Sequence, residues 1–385
     1  MRILISAGEA SGDLYAARLV GALRARFPEA TFFGVAGPRM QAADVRTVVD
    51  QRELAVVGLI EVVPHIPRIF GILRKVERAA AAEKPDLAIL TDSAGFHLRV
   101  AKRLRKLGIP TVQLIAPQAW AWREWRVKTM RRTLERVLCI LPFEEKFFND
   151  RGVPTTYIGH PLSRIVRAQL TREELCAKIG VPSDSRIVAL LPGSRRGEVA
   201  RHVSDVVAAV GIIRKKQQIT PVLALPDGFG AAQADFLEPF RSASIHIVEG
   251  HTWDVLAHAE VALAASGTVT IEAAMLGTPM VTFYRVNAIS WYAGRWLVRA
   301  PFLSMVNLVA GRKVVAELIQ HDMTPQSIAD EGLRLLNDES ARETMRADLA
   351  GVAAQLRAER DPMETAAEEI ERIMRGTHTR EIHIS

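Results

Sequence analysis

A chain of 385 residues is too long for one compact core and predicts two domains. Hydrophobic residues make up 49% and charged residues 24%, an ordinary composition for a soluble chain. No apolar run reaches the ~18 residues that would span a bilayer, and a net charge of +7 favours an acidic partner: phosphates, nucleic acid or an anionic membrane face.

Arg2–Ser6 predicts the first strand, a β run that enters a glycine turn with no signal-peptide core or cleavage site. Cys139 and Cys176 lie far apart in apolar stretches and fit reduced core thiols, so the expected compartment is cytoplasmic. The turn, AGEASGD (7–13), matches no familiar phosphate loop and carries a carboxylate, Glu9. A helix is predicted over Asp13–Phe27, with Ala16, Leu19, Val20, Leu23 and Phe27 on one stripe. Further strands are predicted at Thr31–Val35, Asp86–Thr91, Thr111–Ile115, Val137–Leu141 and Thr155–Ile158. These runs are continuously apolar, as strands covered on both faces are, and the first half reads as a doubly wound parallel sheet.

Residues 60–73, IEVVPHIPRIFGIL, set Val63, Ile66, Ile69, Phe70 and Leu73 at helical spacing beside Arg68, Arg74 and Lys75. An apolar stripe with basic edges suits a helix lying on a membrane and suits core packing equally. Pro64 and Pro67 oppose a regular helix before residue 67.

Asp92 follows a strand at its carboxyl end, where α/β sheets place reactive side chains. Asp92 and Glu9 are predicted to emerge above one crevice, and either can serve as general base on a sugar hydroxyl. The alternative is that Asp92 caps the next helix, near Phe96; His97 reads as an ordinary helix residue. Basic residues cluster at 99–106 and again at 123–136, and QAWAWREW (118–125) sets three tryptophans beside arginines. Such aromatics can stack on nucleic acid, line an apolar substrate groove or sit at a membrane interface.

After His160-Pro161 a polar helical linker leads into a second series. Its strands are predicted at Arg186–Leu191, Thr220–Leu225, Ser244–Val248, Val261–Ala265 and Met280–Phe283, with further helix from Pro325 to about Arg375. Two Rossmann-like domains meet near residue 162, and a ligand at the carboxyl ends of both sheets would lie in the cleft between them.

Two strand–turn–helix junctions in the second half carry nucleotide chemistry. At Gly193-Ser194-Arg195, glycine lets backbone approach a ligand, serine offers a hydroxyl, the helix N-terminus offers free N–H groups and Arg195 a charged fork. At Ser266-Gly267-Thr268 a second helix starts, and Glu272 on the same face can accept from ribose hydroxyls. Each junction alone also reads as a plain helix start; together they describe a nucleotide diphosphate with its sugar. In 304–320, Asn307, Glu317 and Gln320 can face the cleft, and Arg312 reads as surface. With no D-x-D and no zinc spacing, no metal or cofactor is expected, and leaving-group charge falls to helix N-termini and Arg195.

The runs AGEASGD, GVAGPRMQ, ELAVVGLIEV, QAWAWR, LPFE, IGHP, LLPGSRRGEV, ASGTVTIEAAM and NLVAGR occur in this order over nearly the whole chain. In them the sequence resembles the lipid-A-disaccharide synthase family, bacterial glycosyltransferases of the GT-B type. The resemblance implies an α/β fold of two Rossmann-like domains, 1–162 and 163–359, the first completed by a C-terminal helix from about residue 360. It implies an inverting displacement in which UDP-2,3-diacylglucosamine glycosylates 2,3-diacylglucosamine 1-phosphate, giving a β-1,6-linked disaccharide and UDP.

By the same resemblance Asp92 is the general base, with Glu9 the other candidate. Gly193, Ser194, Arg195, Ser266, Gly267, Thr268, Glu272 and Asn307 surround UDP, while Gly8, Ser11 and Gly12 lie over the acceptor and reacting sugar. Ile60, Val62, Val63, Ile66, Ile69 and Phe70 dock on the cytoplasmic face of the inner membrane, no nucleic-acid partner is implied, and a homo-oligomer is left open. The sequence departs from the family pattern at Gly95, where an Asp is expected, and at Val306 and Ala316, where prolines are. Competing readings are another GT-B enzyme of UDP-N-acetylglucosamine, transferase or 2-epimerase, and an RNA-binding protein.

Overall fold

The computed structural model describes residues 1–54, 66–226, 229, 236–287 and 300–382. These form two compact units: one from Met1–Pro161 with the chain from Ala358 onward, the other from the described residues of 162–357.

The first unit is built on strands β1 (Arg2–Ala7), β2 (Thr31–Ala36), β3 (Arg46–Asp50), β4 (Leu87–Thr91), β5 (Thr111–Leu114), β6 (Arg136–Cys139) and β7 (Thr155–Tyr157). They pair in parallel in the order β3-β2-β1-β4-β5-β6-β7. Ile3, Leu4, Ile5, Ile89 and Leu90 are wholly buried, because helices cover both faces of the central strands. The register pairs Ala7 with Thr91, which sets Gly8 beside Asp92 at the point where strand order reverses.

Helix Ala10–Arg26 buries Ala16, Leu19, Val20 and Leu23 on the predicted stripe. It starts earlier than the sequence predicts: Glu9 is its N-cap, and Ser11 and Gly12 belong to its first turn rather than to a loop. The C-terminal helix Pro362–Ile382 packs against it, with Arg26 ion-paired to Glu364, Glu368 and Glu371.

Helix Ile66–Glu83 carries Pro67 in its first turn, where proline costs no hydrogen bond. Its residues Ile72, Leu73, Val76 and Ala80 are buried, so Leu73 belongs to the core and not to a docking stripe. Ile69 is half-buried against the same core, while Ile66 and Phe70 are 42% and 44% exposed. Ile60, Val62 and Val63 lie outside the described residues.

The second unit carries β8 (Ile187–Leu191), β9 (Thr220–Leu225), β10 (His246–Glu249), β11 (Val261–Ala265), β12 (Met280–Tyr284) and β13 (Ala316–Ile319). All pair in parallel, in the order β10-β9-β8-β11-β12-β13. Strand order reverses between β8 and β11, so the turns that leave these strands open onto one crevice. Edge strands β3 and β13 have no counterpart in the sequence reading: β3 is half solvent-facing and β13 is interrupted by Glu317.

Candidate active site

In the first unit, Asp92 stands directly after β4 with φ 55°, followed by Ser93 at φ 35°. Two successive left-handed residues turn the chain sharply and are tolerated here because the carboxylate is bonded on both oxygens. Oδ1 accepts from Gly8 N–H at 2.9 Å and Oδ2 from Glu9 N–H at 3.1 Å. Asp92 therefore does not cap its own helix, Ala94–Lys106, which has no side-chain cap. It holds the turn entering helix Ala10–Arg26, across the sheet.

The same geometry explains the glycines of AGEASGD. A Cβ on Gly8 would lie 2.4 Å from Ser93 Cβ, and one on Gly12 only 1.7 Å from Asp92 Oδ2. The two glycines make room for Asp92 and Ser93, and both are buried. Glu9 and Ser11, half-buried on either side of exposed Ala10, are the polar members of the motif that remain accessible. Asp13, which the sequence reading left without a role, is buried and accepts from the N–H groups of Gly37, Arg39 and Met40 at 2.9–3.2 Å.

His97 fastens the same corner. Its Nδ1 lies 3.1 Å from the Asp92 carbonyl and its Nε2 2.7 Å from Ser6 Oγ. A carbonyl only accepts, so Nδ1 carries the proton and Nε2 takes the Ser6 hydroxyl. Burial pushes the imidazole down to about 4, so it stays neutral at pH 7. The tryptophan run splits: Trp120 donates to buried Glu144 at 3.0 Å, whereas Trp125 is 69% exposed.

In the second unit, β8 runs into Gly193, whose φ of 135° belongs to glycine; a Cβ there would lie 2.7 Å from Glu198 Cβ. Helix Arg196–Arg214 follows, with Arg195 as N-cap. Buried Glu198 organises the turn: it accepts from Ser194 N–H at 3.3 Å, Arg195 Nη1 at 3.0 Å and the Tyr284 hydroxyl at 3.3 Å. His202, one turn later, donates from Nδ1 to Pro192 O at 2.6 Å and accepts Arg285 N–H at 3.0 Å, tying the ends of β8 and β12 together. Neither residue was found from sequence, although the i,i+3 pairing of Arg195 with Glu198 was readable there.

The adjacent strand β11 ends in Ser266 and Gly267, the N-cap of helix Thr268–Leu276, which has no side-chain cap. Its first amides keep the capacity to bind an anion. Glu272 lies one turn into that helix, bonded by Trp253, and burial raises its carboxyl to about 7. The Ser266 hydroxyl donates to Leu303 O at 3.1 Å and so holds the chain at 303.

Asn307, expected beside UDP, is engaged within the protein. It is fully buried, with its amide donating to Val315 O and Glu317 and its carbonyl accepting from Val314 and Val315 N–H. Every polar position of the side chain is used within the unit, so Asn307 braces its segment. Glu317 likewise accepts from Leu303 and Ser304 N–H at the start of helix Met305–Ala310, and Gln320 bonds both backbone groups of Val286. Arg312 pairs with Asp348 on the surface.

Residues 3–370 match the family model of lipid-A-disaccharide synthetase. The chain is 54% identical to the lipid-A-disaccharide synthase of Solibacter usitatus, over 100% of both chains. It is 42% identical to that of Myxococcus xanthus, over 92% of this chain and 93% of that one. Among solved structures it is similar to a UDP-GlcNAc 2-epimerase from Neisseria meningitidis bound to UDP-GlcNAc (TM-score 0.65, 12% identity, 97% and 99% covered). It is also similar to the calicheamicin glycosyltransferase CalG4 (TM-score 0.57, 16% identity, 96% and 97% covered).

Proposed function

The chain belongs to the lipid-A-disaccharide synthase family, and on that premise we propose which of its residues carry the family reaction. The reaction is a glycosyl transfer in lipid A biosynthesis: UDP-2,3-diacylglucosamine gives its sugar to 2,3-diacylglucosamine 1-phosphate, and UDP leaves.

The donor diphosphate sits at the carboxyl ends of β8 and β11. Backbone N–H groups at Gly193–Arg195 and at Ser266–Thr268 bind its oxygens, and Arg195 adds a guanidinium to offset charge as UDP departs. Glu198 supports this seat without touching the nucleotide, since its oxygens already bind Ser194, Arg195 and Tyr284. Glu272 receives the ribose hydroxyls, while Ser266 and Asn307 position the segments around them.

The acceptor is held in the first unit. An ionised carboxylate has about four lone-pair sites, so Asp92 can accept two amides and still take the proton of the acceptor 6-hydroxyl. The freed oxygen attacks the anomeric carbon of the donor in one displacement, inverting it, with Glu9 and Ser11 beside Asp92 to bond sugar hydroxyls. Both substrates are acylated, so the chain works at a membrane surface, with Ile66 and Phe70 entering the lipid between Arg68 and Arg74. No described helix is long and apolar enough to cross a membrane.

The observation that carries this reading is the pair of uncapped helix starts at adjacent strand ends in the second unit, one beside Arg195 and the other one turn from Glu272. The test is an assay with both acylated glucosamines that follows UDP release. Release that depends on both substrates supports the reading; release with donor alone, or none, rejects it.

A further inference from the structure

Arg126 is 9% exposed, yet among the described residues its guanidinium has no hydrogen bond or ion pair. Its contacts are the faces of Trp122 and Trp125, at 5.3 and 5.9 Å. Arg123 stacks on Trp122 at 4.1 Å, and Arg99 donates to Gly95 O at 2.6 Å. No carboxylate pairs with any of these three arginines among the described residues, and Glu124, between two of them in sequence, bonds Arg151 at 2.9 Å. Burial pushes Arg126 down to about 10, and the charges of Arg123 and Arg99 push it the same way. A buried guanidinium beside two further positive charges and without a counter-ion is costly, and an incoming anion would relieve that cost.

The cluster faces the start of helix Ala94–Lys106, where a Cβ on Gly95 would lie 3.9 Å from Arg126 Nη2. Glycine at this position offers the guanidinium no carboxylate. Gly95 lies three residues beyond Asp92.

We propose that Arg126, with Arg123 and Arg99, seats the phosphomonoester of the acceptor sugar at the start of helix Ala94–Lys106. This rests on the reading that the first unit holds the acceptor. The 6-hydroxyl that reacts and the phosphate on carbon 1 are carried on the two ring carbons that flank the ring oxygen, so base and phosphate seat must lie within the reach of a single sugar. Asp92 and the Gly95–Arg126 corner, on the same short stretch after β4, meet that requirement. Guanidinium forks suit the dianion, and Trp122 and Trp125 hold the Arg126 fork through cation–π contact.

The experiment compares KM for 2,3-diacylglucosamine 1-phosphate and for the same sugar without phosphate in wild type, Arg126→Gln and Arg99→Gln. Wild type prefers the phosphorylated acceptor, and each substitution narrows that preference by roughly 10- to 100-fold through acceptor KM, the loss expected for a charge-assisted hydrogen bond. Equal losses on both acceptors, or an unchanged preference, would overturn the proposal. Exposed Arg99 carries the test should Arg126→Gln not fold. A second arm needs no turnover: tryptophan fluorescence with glucosamine 1-phosphate and with inorganic phosphate. Tighter binding of the sugar phosphate, lost in Arg99→Gln, supports the seat; equal affinity for the two marks a free-anion site and overturns it. Binding of glucosamine 1-phosphate without any UDP release in the substrate assay would reject the proposed reaction and leave the seat standing.

Discussion

A Cβ built on Gly12 would lie 1.7 Å from Oδ2 of Asp92, so the first helix and the carboxylate that ends β4 fit together only because residue 12 has no side chain. Gly12 sits in a helix, where alanine ordinarily stabilises by ~1 kcal/mol. Here Gly12→Ala is expected to destabilise by about 1–3 kcal/mol and to displace Asp92. Gly21 of the same helix has nothing within 4 Å of its Cβ position, and Gly21→Ala is expected to stabilise by ~0.5–1 kcal/mol. Urea unfolding of both variants checks this; two shifts of the same sign would contradict it.

Asp92→Asn is expected to lower kcat by ~10²–10⁴-fold, the usual weight of a general base, while UDP binds as in wild type. UDP affinity is expected to stay because the proposed seat belongs to the second unit. Turnover within a few-fold of wild type would remove Asp92 from the proton transfer and leave Glu9 as the candidate.

Arg195→Ala is expected to weaken UDP binding by roughly 10- to 100-fold in calorimetry. Glu198→Ala should cost at least as much, because it releases both the Arg195 fork and the Ser194 amide and leaves Tyr284 without that partner. Wild-type UDP affinity in Glu198→Ala would show that the turn holds its shape without that side chain.

Stability should fall on the acid side through the buried histidines. His97 is lowered from 6.5 to about 4, so between those values the unfolded chain takes up a proton that the folded chain refuses. The stability at stake is present at pH 7 and lost as pH falls through that window, by up to ~3 kcal/mol. His160, lowered to about 3, acts in the same direction. Glu144 and Glu272, raised from 4.5 to about 7, act oppositely: each favours the folded chain below 4.5 and loses that contribution as pH rises through 7. The urea midpoint of His97→Gln should therefore fall less between pH 7 and pH 5 than that of wild type, and an equal fall would contradict the assignment.

Replacing both Ile66 and Phe70 with Asp is expected to abolish flotation with anionic vesicles while leaving activity on detergent-dispersed substrates near wild type. Undiminished flotation would move the docking surface elsewhere.

How far the sequence reached depended on what kind of interaction fixed each residue. The central strands were legible because burial on both faces demands unbroken apolar runs such as LAIL and VALL. Edge strands β3 and β13 escaped because a strand with a solvated face admits residues like Glu317. GSR and SGT showed as helix starts because local chemistry alone prescribes them. The protein partners of Asn307 and Gly12 were hidden for one shared reason: residue type suggests a ligand and says nothing of a neighbour elsewhere in the chain. The Asn307 amide is taken by residues 314, 315 and 317, and the space beside Gly12 by an aspartate 80 positions along the chain. Glu198 and His202 work on groups already in place, so no motif announced them.

The central claim is that the second unit grips a uridine nucleotide at two neighbouring helix starts, and a crystal structure of the chain with UDP tests it most directly. The account predicts the diphosphate within hydrogen-bonding distance of amides at Gly193–Arg195 and Ser266–Thr268, with the ribose against Glu272. UDP bound anywhere else on the protein would contradict it.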